Sequence, residues 1–393
     1  YDVVIIGGGP AGLSALKAAA NATTSILLVD ENPSLGGQIW RGSYESQEQL
    51  PGEIKTGASL IAKQGKSLRF SDGSSAEFKK LILCTGAREL FLPFPGWTSP
   101  NVVGAGALQA FIKSGFDVSK KQIVICGSGP LLVAVASLAL QRGAQVVAVV
   151  EQASKAQLFS FAAAILSQPQ KLKQAMQFKR ELKGIKHLFG WWPTQVDGST
   201  LTISNGRKET DLEADIVACG FGLVPNLEIA QALGCKTAFG AVTTGEDSQT
   251  SVPDVYAAGE TTGVGGVDLS LIEGEIAGLA ATGRPFEHLV RTRSKEREFA
   301  AAMAQSFTLD PALKDLVDDE NIVCRCEDVR WGAIKDCASM QEAKLHHRLG
   351  MGACQGRVCG SACSFLKGWE VRSTRPPISP ATYEELGLGE KQE

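Results

Sequence analysis

A chain of 393 residues is too long for one ordinary core and points to two or three domains. With 44% hydrophobic and 21% charged residues it has ample apolar material to bury, and a net charge of −3 leaves no electrostatic case for nucleic acid or anionic lipid. The longest apolar run, "PLLVAVASLAL" at 130–140, is too short for a transmembrane segment and reads as a core helix. No secretory leader is read ahead of "YDVVIIGGG", so a cytoplasmic protein is expected, its thiols reduced or given to a metal.

The first element, "VVIIGGGPAGLSALKAAA" followed by "TSILLVDE", is a complete dinucleotide-binding unit. An all-apolar strand suits the middle of a parallel sheet. Gly7 allows the tight turn, Gly9 lets the backbone approach a pyrophosphate, and Gly12 lets the helix pack closely on the strand. The helix opening at Pro10 offers free N–H groups and a positive dipole end to the phosphates. Asp30, with Glu31 beside it, ends the next strand 18 residues after Gly12, where an acid accepts the ribose hydroxyls.

FAD and NAD share this fingerprint, and the segments that follow choose between them. "LGGQIWR" at 35–41, "LILCTGAREL" at 81–90 and "TSVPDVYAAGETTGVGGVDLSLIEGEIAG" at 250–278 resemble the later FAD-contacting stretches of the flavoprotein disulfide reductases, with Glu260 where an aspartate is commoner. That resemblance covers residues 1–285 and implies FAD on Gly37, Gln38, Arg41, Thr85, Gly86, Gly259 and Glu260 as well. It also implies a helix start near Gly266 and Val267 whose dipole would stabilise negative charge on the reduced ring.

"QIVICGSGPLLVAVASLALQRGAQVVAVVEQ" at 122–152 repeats the unit. Gly127, Gly129 and Glu151 match the pattern, but Leu132 replaces the third glycine and must fit between helix and strand or push the helix away. A vestigial fold, another adenine nucleotide and NADH all stay open; NADP is the poorer fit, since no arginine cluster follows Glu151. Cys84, Cys126, Cys219 and Cys235 are not spaced as the redox pair of a disulfide reductase and read as packing residues. A thioredoxin or glutathione reductase is thereby excluded.

From 286 onward the character changes. "RTRSKEREFAAAM" reads as a charged helical linker, "RPPISP" at 375–380 as proline punctuation, and Cys324, Cys326, Cys354 and Cys359 lie between them as C-x-C, a 27-residue gap, and C-x4-C. Two close pairs suit four-thiolate ligation, each pair fixing one side of an iron–sulfur cluster, with zinc or plain thiols as the alternatives. "CRCEDV" with "GMGACQGRVCG" resembles the small [2Fe–2S] domain of bacterioferritin-associated ferredoxin and of assimilatory nitrite reductases, although the gap is short for that family. Gly350, Gly352, Gly356 and Gly360 would turn backbone N–H groups toward sulfur. Cys337 and Cys363 fall outside the pairs.

The whole chain resembles the FAD-containing A (alpha) subunit of heteromeric amino-acid dehydrogenases: the opine oxidase, D-hydroxyproline dehydrogenase and hydrogen cyanide synthase group. The stretches "IIGGGPAGL", "GGQIWR", "GSGPLL", "CGFGLVPN", "AGETTGVGGVDL", "CRCEDV" and "GMGACQGRVCG" carry it. It implies an α/β fold with two Rossmann-like domains of the flavoprotein disulfide reductase type and a small α-helical [2Fe–2S] domain. The expected limits are 1–95 with 221–285 for FAD, 96–220 for the second fold, and 286–393 for linker and cluster. It also implies a beta subunit of the D-amino-acid or sarcosine oxidase type that oxidises the amine. It allows for a small third subunit, too, and for peripheral attachment to the inner membrane through the complex. No catalytic residue is assigned. None of the four histidines lies in a flavin motif, and Arg41 and Arg88 are the nearest candidates for gripping a carboxylate.

Overall fold

The computed structural model describes residues 1–41, 50–166, 168–370 and 374–386; 371–373 and 387–393, within the expected cluster domain, lie outside it. The chain divides into two units: Tyr1–Arg88 with Val224–Ala301 and the described part of Arg372–Glu393, and Glu89–Leu223 with Ala302–Val371.

In the first unit, strand Val3–Ile6 lies inside a five-stranded sheet, with Ile26–Asp30 then Glu53–Thr56 on one side and Lys80–Leu83 then Val255–Ala257 on the other. All four pairings are parallel. The apolar run is explained by its two covered faces. Val3 and Ile5 pack with Leu13, Leu16 and Ala277 of the helices, while Val4 and Ile6 pack with Leu60, Leu68 and Phe70 of a small antiparallel sheet. Each such side chain contributes about 1.5–3 kcal/mol on burial. Helix Pro10–Ala19 meets helix Val267–Ala281 backbone to backbone: a Cβ on Gly274 would stand 2.1 Å from the Ala11 carbonyl oxygen, and one on Gly278 2.4 Å from that of Ala15. The proline-rich tail returns to this unit, where Ile378 is buried and donates its N–H to the Ile61 carbonyl at 2.8 Å.

The second unit repeats the plan. Its parallel sheet runs Lys186–Phe189, Gln145–Glu151, Gln122–Gly127, Ile216–Gly220, Val102–Gly104, flanked by helices Ala105–Lys113 and Leu131–Gln141. Leu132 fits without displacing its helix from the sheet. It is buried beside Gly220, whose missing side chain leaves the room: a Cβ there would lie 3.3 Å from the Leu132 methyl. The charged linker forms helix Glu287–Ser306, which carries the chain from one unit into the next.

The cysteine-rich segment packs within the second unit and keeps a small core of its own, including Val323, Ile334, Leu349, Cys359 and Trp369. Strand Ile322–Cys324 pairs with Val329–Arg330 and is followed by helices Trp331–Ile334, Met340–His347 and Cys359–Lys367. Ser339 caps the middle helix by accepting from the Glu342 N–H at 3.2 Å, and Glu342 reaches back to the Ala338 N–H at 2.8 Å. That helix ends in left-handed Arg348, φ 62°, two residues before Gly350, φ 75°.

Candidate functional site

In the first unit the glycine turn is as tight as its sequence demands. A Cβ on Gly7 would meet the Cys84 carbonyl oxygen at 2.2 Å, and one on Gly12 the Gly7 oxygen at 1.8 Å. Gly9 has nothing nearer than the Gly37 Cα at 3.8 Å, which leaves the approach to a pyrophosphate open at the N-terminus beginning with Pro10. The Gly37–Gln38 turn is tied to it by the Gly36 N–H on the Gly8 carbonyl at 2.8 Å.

Asp30 is buried at the strand end. One of its oxygens accepts from the Gly8 N–H at 2.6 Å, the other from the Asn32 backbone and side-chain nitrogens at 2.7 and 2.9 Å. Glu31 beside it is exposed. Arg41 reaches Asn32, and its Nε is buried without a hydrogen-bond partner. A buried guanidinium nitrogen with its donor unspent, in the loop that follows Asp30, fits a ligand that brings oxygen acceptors.

The later flavin-type stretches converge on the same unit. Asn226, which sequence reasoning did not single out, knits them together. Its carbonyl accepts from Thr85 and Thr261 hydroxyls at 2.8 and 3.1 Å, its N–H donates to Gly86 at 2.9 Å, and its amide donates to Thr85 at 2.8 Å. Arg88 donates to the Asn226 side chain at 2.7 Å and pairs with Glu228 at 2.7 Å, so it braces this turn.

Glu273 is a second residue missed by sequence. Only 2% exposed, it accepts from Gly259 and from Thr262, and takes two bonds from Arg297, at 3.0 and 2.7 Å. The one signal for it was an acid set beside Gly274 in the largely apolar helix Val267–Ala281. Glu260 is held up from the ordinary carboxylate range by burial, against which a bond from the Gly266 N–H pulls down. Gly266 precedes helix Val267–Ala281 at φ 84°, so this carboxyl sits at the helix start expected to face the flavin.

The turn of the second unit is formed in the same way as the first, and Gln152 beside it engages its own chain. A Cβ on Gly127 would lie 2.0 Å from the Gly220 oxygen, while Gly129 is open. Both Glu151 oxygens accept backbone N–H groups, of Gly129 and Ala153, each at 2.8 Å, and burial pushes this carboxyl up. Gln152 next to it grips the segment after the linker helix, donating to the Thr308 carbonyl at 3.0 Å and accepting from the Asp310 N–H at 2.8 Å. Phe307 packs edge-on to Phe161 at 5.1 Å. Cys126 and Cys219, read as unrelated packing residues, prove to be neighbours on adjacent strands with sulfurs 3.5 Å apart, fully buried in the second unit.

All four cysteines of the C-terminal pattern line one cavity of about 210 Å³, together with Phe91, Arg325 and Val358. Cys324 lies against Cys359 and Cys326 against Cys354, because the strand carries Cys324 into the buried interior while Cys326 stays exposed in the turn after it. The Cys359 contact lowers Cys324 to about 5, against desolvation and with help from the N–H groups of Gly350, Glu327 and Cys326. Cys359 moves up through the same contact.

Gly352 makes this approach possible: a Cβ on it would stand 2.3 Å from the Cys326 Cβ. Cys363, one turn beyond Cys359, is buried, pushed up to about 12 by desolvation, and lies off the cavity wall, as does Cys337. Among the described residues no three or more His, Cys, Asp or Glu side chains converge on a single metal position. Two contacting pairs of thiols suit two metal atoms better than one.

Residues 1–274 match the family described as pyridine nucleotide-disulphide oxidoreductase. The A-type chain of the opine oxidase of Rhizobium meliloti is 30% identical over 98% of both sequences, and hydrogen cyanide synthase subunit HcnB of Pseudomonas aeruginosa is 28% identical over 98% of both. Among solved structures, L-proline dehydrogenase from P. horikoshii superposes with a TM-score of 0.65 at 16% identity, over 98% of this chain and 79% of that one. Thioredoxin reductase of T. acidophilum gives 0.56 at 20% identity, over 72% of this chain and 97% of that one.

Proposed function

Because the chain belongs to the pyridine nucleotide-disulphide oxidoreductases, and resembles the A-type chain of opine oxidase along its full length, we propose that it is the electron-transfer flavoprotein subunit of a heteromeric amino-acid or opine dehydrogenase. It works in the cytoplasm beside an oxidase-type beta subunit that oxidises the amine; no helix among the described residues is long and apolar enough to cross a membrane. The observation that carries the reading is the meeting of Cys324, Cys326, Cys354 and Cys359 in one cavity on a chain that also holds a complete dinucleotide turn. FAD takes electrons in pairs and a [2Fe–2S] cluster passes them singly, which is the chemistry these two groups supply.

The residues divide the work. Gly9 and the N–H groups after Pro10 would face the pyrophosphate, Asp30 would accept the ribose hydroxyls, and Arg41 would give its unspent Nε–H to the ligand. Thr85, Gly86 and Gly259–Thr262, braced by Asn226 and Glu273, shape the flavin end, where the start of helix Val267–Ala281 offers its dipole. Cys324, Cys326, Cys354 and Cys359 would hold the cluster, with backbone N–H groups aimed at Cys324.

The expected domains assign these roles: 1–95 and 221–285 to FAD, 96–220 to the second nucleotide fold, 286–393 to linker and cluster. A second reading, a self-sufficient NADH-dependent reductase, draws on the intact Gly127–Gly129 turn. Against it stands Gln152, spent on the 308–310 segment. Anaerobic stopped-flow mixing separates the two. The isolated chain is expected to show flavin bleaching by NADH at least a hundredfold slower than by dithionite, and none by secondary amino acids. Rapid bleaching by NADH would establish the reductase; rapid bleaching by amine would make this the amine-oxidising subunit.

A further inference from the structure

We propose that Arg325, held by Trp97, is a fixed cation at the cysteine cavity that sets how readily the cluster there accepts an electron; the inference rests on the [2Fe–2S] reading and deepens it. Arg325 stands between two cysteines of the pattern and lines the same cavity as all four. Its guanidinium carbon lies 5.4 Å from the centre of the Trp97 ring, within cation–π range. That ring is itself fixed. Trp97 is 4% exposed, its indole N–H donates to the Ile322 carbonyl at 2.7 Å, and Phe91, another wall of the cavity, packs 6.3 Å away. Ile322 opens the strand that ends in Cys324, so the tryptophan ties the cation and the ligand strand to one support.

The charge is not neutralised locally. Among the described residues no carboxylate pairs with Arg325, and the nearest acid in sequence on the far side of Cys326, Glu327, is spent on Arg348 at 2.6 Å. One electron entering the cavity adds one negative charge, which a nearby cation stabilises relative to the oxidised state. Arg325 is exposed, so water and salt screen the effect to a modest size. We set it at about tenfold in the reduction equilibrium, which for a one-electron couple is about 59 mV. Trp97 acts through Arg325 and is a positioning residue.

The test is an EPR-monitored dithionite titration of the full chain, with iron and sulfide measured on the same samples. Arg325→Gln is expected to carry wild-type iron and sulfide and to reduce at a potential lower by about 59 mV, the tenfold shift. Arg325→Lys, which keeps the charge but not the planar stacking, should fall by less, and so should Trp97→Phe. A cluster-loaded Arg325→Gln with unchanged potential overturns the proposal while leaving the cluster in place. If Arg325→Gln assembles no cluster, Trp97→Phe decides: a lower potential at full iron supports the role, an unchanged one overturns it. Absence of sulfide from the wild-type chain removes the [2Fe–2S] reading itself, and this inference with it.

Discussion

Replacing Cys324 with alanine will leave a yellow protein with no cluster: iron and acid-labile sulfide fall from about two each per chain to near zero, while FAD content is unchanged. Cys324 is as deeply embedded as Cys359, each 1% exposed, and it contacts Cys359 and receives three backbone N–H groups. Its loss leaves one iron with a single protein thiolate and three donors facing nothing. The nearest spare thiol, Cys363, cannot replace it without moving its helix, because it is buried in the small core and absent from the cavity wall. FAD is spared because Asp30 and the glycine turn belong to the other unit. Gly352→Val should act in the same direction, since its Cβ would collide with that of Cys326 at 2.3 Å. Inductively coupled plasma iron analysis with a sulfide assay reads both variants; one zinc per chain and no sulfide in anaerobically purified wild type would contradict the assignment.

Asp30→Ala should weaken FAD binding by a factor on the order of 10 to 10². The side chain supplies the ribose acceptor and satisfies the Gly8 N–H and both Asn32 nitrogens. Losing a charge-assisted bond to a ribose hydroxyl costs about 1.5–3 kcal/mol, and about 1.4 kcal/mol is a factor of ten. Purified Asp30→Ala is therefore expected to be nearly colourless and to recover flavin only at high added FAD. Glu151→Ala, the equivalent change in the second fold, provides the control and should keep its FAD. Equal flavin occupancy in the Asp30 and Glu151 variants would contradict the placement.

What the sequence disclosed was local, and what it withheld was made by residues far apart along the chain. Both βαβ units were legible because their signals sit within some thirty residues: apolar strand, glycine turn, small-residue helix and terminal acid. Leu132 was legible as an anomaly, but the space that admits it comes from Gly220, on another strand. Asn226 ties together the Thr85 and Thr261 turns, and no periodicity marks such a bracket.

Cysteine spacing marked the four candidate ligands, yet it could not decide their pairing. The strand ends at Cys324, which it buries, and the turn after it leaves Cys326 exposed, so the hydrogen-bond partner of Cys324 is the distant Cys359. Trp97 lay outside every motif, and Arg325, although inside "CRCEDV", carried no signal of its own, for the same reason. Their contact joins the 91–97 stretch to the cysteine strand, and only the folded chain brings the two together.

The most direct measurement of the central claim is freeze-quench EPR after anaerobic addition of a secondary amino acid or opine, with the chain alone and with its oxidase-type partner. The account predicts no reduced-cluster signal from the chain alone. With the partner present, a [2Fe–2S] signal should appear together with flavin bleaching, and it should vanish in Cys324→Ala while bleaching remains. A full cluster signal from amine and chain alone would contradict it, for the amine would then be oxidised on this subunit.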